Sequence, residues 1–137
     1  VYQVPPGLFV AGGGWAGEQY FVLPTERDLK AICEQALASA RRTMKPRDRC
    51  ILLTHYPAYL PEAIPLHGNK FGVMYDCVRE LIHALRPIAV IQGHVHGLFL
   101  TQATYRFGKR QALVAFPGPD GGMLTIDGEA AEFRPWL

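Results

Sequence analysis

The chain has 137 residues, of which 49% are hydrophobic, so it is long enough for one domain with a buried core and short for two. Fourteen Lys and Arg residues oppose twelve Asp and Glu residues, and the net charge of +2 is not gathered into a block of like charges, which argues against binding to nucleic acids or membrane surfaces. No apolar segment approaches the roughly 18 residues that a transmembrane helix needs, and the start of the chain lacks the pattern of a signal peptide.

The first half of the chain predicts the order strand, helix, strand. A short apolar strand over residues 8–11 is followed by glycines, and residues 12–17 match the pattern Gly-x-Gly-x-x-Gly. Extended chain rather than a helix follows them, so we interpret them as a loop and not as a dinucleotide site. The helix begins after Thr25, a suitable N-cap with a carboxylate three residues later, and ends before Pro46. A second strand covers residues 50–54.

The second half predicts a loop, a helix, a strand and then hairpins. Residues 56–70 are aperiodic and interrupted by prolines, which is typical of a loop, and a second helix is predicted from about residue 72 to residue 85. His83 lies off its apolar stripe, and we interpret it as an exposed partner of the helix dipole rather than as a metal ligand. A short buried strand over residues 88–91 follows. The strands of two hairpins complete the prediction, over residues 98–105, 112–116, 123–126 and 130–133.

This order of elements predicts an α/β fold in one domain over residues 1–137. The strands that alternate with helices are expected to form the parallel part of a mixed sheet flanked by helices. The hairpins are expected to extend it as a C-terminal antiparallel meander.

The three cysteines bear on the cellular compartment. Cys33, Cys50 and Cys77 are odd in number, widely spaced and set in apolar contexts, without a Cys-x-x-Cys pair. This usage favours buried, reduced thiols over a disulfide framework, so we expect a cytoplasmic protein.

The clearest functional signal is a pair of histidines at the end of the third predicted strand. The segment Gly-His-Val-His-Gly at residues 93–97 places His94 and His96 two residues apart, so in extended chain both side chains point to the same side. His55 directly follows the second predicted strand, and neighbouring strands lie about 4.8 Å apart. We therefore predict a metal site built from these three histidines, since imidazole binds transition metals. For His55 alone, a hydrogen-bonded structural role is the competing interpretation.

These histidines lie in two sequence blocks that resemble a known family. Thr-His-Tyr-Pro at residues 54–57, followed by the block at residues 93–97, is similar to the last two blocks of the calcineurin-like metallophosphoesterase superfamily. Ala-Phe-Pro-Gly at residues 115–118 is similar to the Asn-Pro-Gly-Ser element that many members carry. The resemblance implies a sandwich of sheets flanked by helices, with a dinuclear metal centre at the strand ends that hydrolyses a phosphate ester.

The resemblance also implies roles for individual residues. His55 and His94 resemble the histidine ligands of one metal, and His96 resembles the histidine ligand of the other. The metals would be two divalent or transition ions, such as Mn, Fe, Zn, Ni or Co, which lower the pKa of a bound water and hold the phosphate oxygens. Tyr56 and His67, in the predicted loop, are candidates for contact with the substrate. No catalytic residue is predicted beyond the metal ligands.

The resemblance covers the C-terminal portion of the family's domain only. The earlier blocks, Asp-x-His, Gly-Asp-x-x-Asp and Gly-Asn-His-Asp/Glu, which supply the carboxylate that bridges the metals, are not found in the sequence. The chain also begins at Val1 rather than at Met. We therefore expect a processed or incomplete chain that is inactive by itself and is completed by a missing N-terminal half or a partner chain.

Two other functions are consistent with the same histidines. The chain could be a non-catalytic module derived from this fold, which binds a structural metal or a partner. Alternatively, all three histidines could hold a single catalytic metal with an open position. The three hypotheses differ in the number of metal ions bound and in whether a phosphate ester is cleaved.

Overall fold

The computed structural model describes residues 2–3, 7–13, 24–64 and 74–136. In chain order its elements are β1 Tyr2–Gln3, β2 Leu8–Gly13, α1 Glu26–Thr43, β3 Arg49–Thr54, α2 Asp76–Leu85, β4 Ala89–Gln92, a 3₁₀ turn His96–Leu98, β5 Gln102–Phe107, β6 Arg110–Ala115, β7 Gly122–Asp127 and β8 Ala130–Pro135. Within these residues, neither helix combines the length and the apolar character needed to cross a lipid bilayer.

Six strands form one mixed sheet, in the order β1-β2-β3-β4-β6-β5. The four inner strands β2, β3, β4 and β6 are parallel to one another, whereas the edge strands β1 and β5 pair antiparallel with β2 and β6. The predicted α/β class with a mixed sheet is therefore confirmed. The short edge strand β1 was not among the predicted strands.

The C-terminal strands depart from the predicted meander in two ways. The β5–β6 hairpin brings β6 back beside β4 in parallel orientation, with Ala89 opposite Leu113 and Val90 opposite Val114. The β7–β8 hairpin forms a separate two-stranded sheet instead of extending the first one. The prediction of one continuous antiparallel extension was wrong because alternation along a strand shows which side chains are buried but not which strand lies next to it.

The two faces of the main sheet are covered by different elements. Leu52 and Val90 point to one face and pack in a large core with α1 and α2, which contact each other. Ile51 and Ala89 point to the other face and pack in a smaller core that the β7–β8 hairpin covers, through residues such as Leu124. This alternation is expected for strands with two buried faces.

Local chemistry sets the limits of α1 as predicted. The Thr25 hydroxyl accepts a hydrogen bond from the backbone N–H of Asp28, while the Asp28 carboxylate accepts from the backbone N–H of Thr25. This reciprocal capping box satisfies two amides that the first helical turn leaves unpaired. The helix ends at Thr43, before Pro46.

Helix α2 begins at Asp76, four residues later than predicted. Tyr75 is held in extended conformation, since its backbone N–H donates to the Pro57 carbonyl and it bridges Ala58. Its backbone is therefore committed to the preceding loop and does not enter the helix. The helix ends as predicted before Pro87, at Leu85, and its C-cap Arg86 has a left-handed φ of 52°.

The first predicted hairpin strand also begins later than expected. Residue 98 lies in the 3₁₀ turn, and β5 begins at Gln102. Between them Leu100 adopts a φ of 67°, and its N–H donates to the Phe116 carbonyl at 2.7 Å. The segment after the histidines is thus folded back on the end of β6 and is not part of the hairpin.

Candidate metal centre

The candidate site lies where β3 and β4 end side by side. The two strands are parallel, with Thr54 opposite Gln92, so the residues that follow leave the sheet at the same edge. The backbone N–H of Gly93 donates to the His55 carbonyl at 3.2 Å, so the two segments stay paired for one residue beyond the ends of the strands. The sheet thereby brings His55 next to His94.

The imidazoles of His55 and His94 are in direct contact. His55 Nε2 and His94 Nδ1 are 3.3 Å apart, and the ring planes are inclined at 70°. His55 is exposed and His94 is half-buried, so the pair faces solvent. This distance suits a hydrogen bond between two imidazoles, one of which supplies the N–H. It is also about the separation that two nitrogens have on one tetrahedral zinc ion, given Zn–N bonds of about 2.0–2.1 Å.

The backbone at His94 is in an uncommon conformation. Its φ is 67°, and the N–H of Val95 donates to the Gly93 carbonyl at 2.8 Å across it. This three-residue γ-turn with positive φ is the rarer and more strained of its two forms. Residues in such conformations cluster at functional sites, where the surrounding structure holds them.

Tyr56 supports both imidazoles from the interior. Its side chain is 8% exposed, and its ring centroid lies 4.8 Å from that of His55 and 4.8 Å from that of His94. On its other side it packs edge-on against Tyr75. The predicted contact of Tyr56 with a substrate stays a prediction, and the observed contacts place its ring beneath the histidine pair.

The loop that carries Tyr56 is attached to α2. The N–H of Tyr59 donates to the Tyr75 carbonyl at 3.1 Å, and Arg79 forms a two-pronged ion pair with Glu62 at 2.6 and 2.8 Å. Hydrogen bonds from this guanidinium lower the pKa of Glu62 to about 2. Because Glu62 is exposed and Arg79 is partly exposed, the pair contributes little free energy, but the backbone bonds fix the loop.

A buried polar residue that the sequence analysis overlooked lies under the same loop. Gln92 is 1% exposed, and its Oε1 accepts a hydrogen bond from the Ala58 N–H at 3.1 Å. Among the described residues, Gln92 Nε2 and Thr54 Oγ1 are buried side-chain atoms without a hydrogen-bond partner. The sequence feature that could have revealed this residue is a glutamine at the end of an otherwise apolar strand, because a buried amide usually forms hydrogen bonds that fix its surroundings.

The other predicted site residues are not placed by the structure. His96 begins the 3₁₀ turn, but its side chain is not among those described, and His67 lies outside the described residues. Within the described part of the chain, no three His, Cys, Asp or Glu side chains are grouped to hold a metal ion. The described pair can supply two nitrogen ligands and leaves the other positions of a metal ion to further ligands and water.

The chain matches no protein-family model, no curated protein and no solved structure in the three comparisons made. A functional assignment therefore rests on the site itself.

Proposed function

We propose that this chain supplies the histidine ligands of a metal-dependent phosphoesterase related to the calcineurin-like superfamily. The observation that carries the proposal is the 3.3 Å separation of His55 Nε2 and His94 Nδ1 at the ends of two parallel strands. Two histidines from different strands at one edge of a sheet form an exposed pair of nitrogen donors. Such a pair suits a transition metal better than it suits packing.

In the proposed site, His55 and His94 hold one metal and His96 holds a second. Paired divalent or transition ions, when bound, lower the pKa of a water molecule and stabilise the charge of a phosphate ester under attack. The role of this chain is to hold the histidine ligands in position. Strands β3 and β4 set the spacing of the imidazoles, and the buried ring of Tyr56 restricts their rotation. The exposed side of His55 is left for the substrate, with His67 as a further proposed contact.

Charge balance requires ligands beyond the histidines. Neutral imidazoles do not compensate two divalent cations, which need bridging anions, and no third ligand joins the pair among the described residues. We propose that carboxylates come from a missing N-terminal half or a partner chain. Leu53, one residue before the end of β3, is 43% exposed on the sheet face that carries half-buried Ile91, and this apolar surface suits such an addition.

The same incomplete ligand set favours a second candidate, a non-catalytic module. In that case the histidine pair binds one metal or a partner, and no phosphate ester is cleaved. The phosphoesterase and the metal-binding form of the module both need the two imidazoles for metal binding, and they differ in stoichiometry and in turnover after the missing ligands are supplied.

Metal titration of the full chain tests the common step. We expect zinc or manganese binding measured by calorimetry to weaken by at least about 10–100-fold in His55→Ala and in His94→Ala, because each change removes a ligand and the loss of a ligand's hydrogen-bond partner already costs that much. His83→Ala is the matched control, since this imidazole lies on α2 and bonds to the Tyr105 hydroxyl at 2.6 Å. If both site variants bind the metals as tightly as the unchanged chain, the phosphoesterase and the metal-binding module both fail.

Hydrolysis of p-nitrophenyl phosphate and bis(p-nitrophenyl) phosphate with added metal then separates the candidates. Two metals per complete protein, with turnover that is lost in His94→Ala, supports the phosphoesterase. One metal per chain without turnover supports the module. One metal with turnover that needs all three histidines supports the single-metal hydrolase instead.

A further inference from the structure

Two buried cysteines lie on the sides of α1 and α2 that line one cavity between the helices. Cys33 on α1 and Cys77 on α2 are 9% and 3% exposed, and both line one cavity of about 190 Å³ between the helices. Both side chains also belong to the same buried core cluster. The third cysteine, Cys50, is buried in β3 and does not line this cavity. The pair is thus set apart from the remaining thiol.

The surroundings make the two thiols chemically unequal. The hydrogen bond from Cys77 lowers the pKa of Cys33, even though burial opposes this. The same bond, together with burial and the nearby Glu26 carboxylate, raises the pKa of Cys77. Cys33 is therefore the thiol that ionises first, and the thiolate is the form that attacks an oxidant. Burial raises the pKa of Cys50 to about 11, so Cys50 stays protonated near neutral pH and serves as a reference thiol outside the pair.

We propose that Cys33 and Cys77 form a redox pair that hydrogen peroxide oxidises to a disulfide between α1 and α2. The inference is independent of the proposed function. The loop that this bond would close contains β3, His55 and Tyr56, so oxidation would enclose half of the histidine site in a covalent ring.

The reaction has two steps. The Cys33 thiolate attacks one oxygen of hydrogen peroxide, an S–O bond forms as the O–O bond breaks, and the departing hydroxide takes the Cys77 proton and leaves as water. The Cys77 sulfur then attacks the sulfur of the Cys33 sulfenic acid, the S–S bond forms, and hydroxide leaves and takes a proton from solvent as water. The pair loses two electrons in all, and one peroxide yields two waters.

Peroxide titration of the full chain, read by intact mass and by non-reducing peptide mapping, tests the proposal. We expect the unchanged chain and the matched control Cys50→Ser to lose two hydrogen atoms and to yield a peptide pair linked between Cys33 and Cys77. Cys33→Ser should yield no internal link. A link that includes Cys50, a disulfide-bonded dimer, sulfinic acid on Cys33 without a link, or unreacted thiols would each overturn it.

Thermal unfolding gives a second measurement that does not depend on any variant folding. Closing a loop of this length should raise the melting temperature of the oxidised chain on the order of 10 °C, and dithiothreitol should reverse the rise. A melting temperature that stays unchanged in a chain with the mapped link would show that the disulfide does not hold α1 and α2 together. It would contradict the proposed stabilising effect of oxidation.

Discussion

His94 is a candidate metal ligand, yet its backbone has a conformation that favours glycine. Its φ of 67° is left-handed, a region that Asn, Asp and His visit more often than most residues but that glycine alone adopts at no steric cost. A residue held there costs on the order of 1–3 kcal/mol of stability. We therefore expect the imidazole of His94 to bind a ligand, because this binding would offset the loss of stability caused by the left-handed backbone.

This strain leads to a prediction at position 94. We expect His94→Gly to be more stable than His94→Ala by about 1 kcal/mol, because alanine keeps the steric conflict that glycine removes. Urea unfolding of the two variants measures the difference. Both variants lack the imidazole, so the comparison isolates the backbone from the ligand.

His55 provides the control for that comparison. Its φ is not positive, so His55→Gly should be equal to or less stable than His55→Ala. If glycine is no better than alanine at position 94, the left-handed turn described there is not populated in solution.

At the residue scale, the sequence allows the proximity of His55 and His94 to be inferred. It does not reveal the contacts that hold the two rings in place. Both histidines follow apolar strands, and parallel strands end at one edge, which is enough to bring the rings near each other. The burial of Tyr56 beneath them depends on Tyr75, whose sequence position gives no hint of contact. The turn at His94 depends on one backbone hydrogen bond that no side-chain pattern encodes.

At the element scale, one carboxylate connects the two helices. Glu26, in the first turn of α1, accepts hydrogen bonds from the backbone N–H groups of Asp76 at 2.6 Å and Cys77 at 3.2 Å. The N-cap of α2, Tyr75, makes no side-chain capping bond. Glu26 therefore performs for α2 the capping that a local residue usually performs, and its negative charge suits that helix end.

Removing this carboxylate should loosen the joint between the helices. We expect Glu26→Ala to lower the free energy of unfolding by about 1–2 kcal/mol, since two N–H groups of α2 lose their acceptor. Glu34→Ala, an exposed carboxylate further along α1, is the matched control and should change stability by less than about 0.5 kcal/mol. Equal effects in urea unfolding would mean that the contact contributes nothing specific.

The two helices also differ in how far they could be predicted. The limits of α1 follow from its own residues, because Thr25 and Asp28 form the cap within one turn. The start of α2 depends on Pro57 and Ala58, which bind the backbone of Tyr75 from a different part of the chain. Propensity and periodicity describe local preference, and such long-range bonds override it.

At the scale of the whole molecule, the two faces of the sheet are covered to different extents. One face is covered by α1 and α2, which carry most of the core and hold the loop with Tyr56. The other face is covered in part by the β7–β8 hairpin and leaves Leu53 exposed near the histidine pair. The α/β class and the mixed sheet were predictable from the order of the elements. The place of β6 was not, because sequence neighbours do not determine sheet neighbours.

The position of β6 has a consequence for the order in which the chain folds. The β5–β6 hairpin is local and can close within microseconds, whereas β4 can pair on its second side only after this hairpin docks in parallel orientation. We expect the amides of β6 that pair with β5 to gain protection before those of β4 in pulsed hydrogen exchange after dilution from urea. Simultaneous protection would contradict this order. Since the segment that carries His94 connects β4 to the hairpin, both its ends become fixed only in that docking step, and the histidine pair is therefore expected to assemble late.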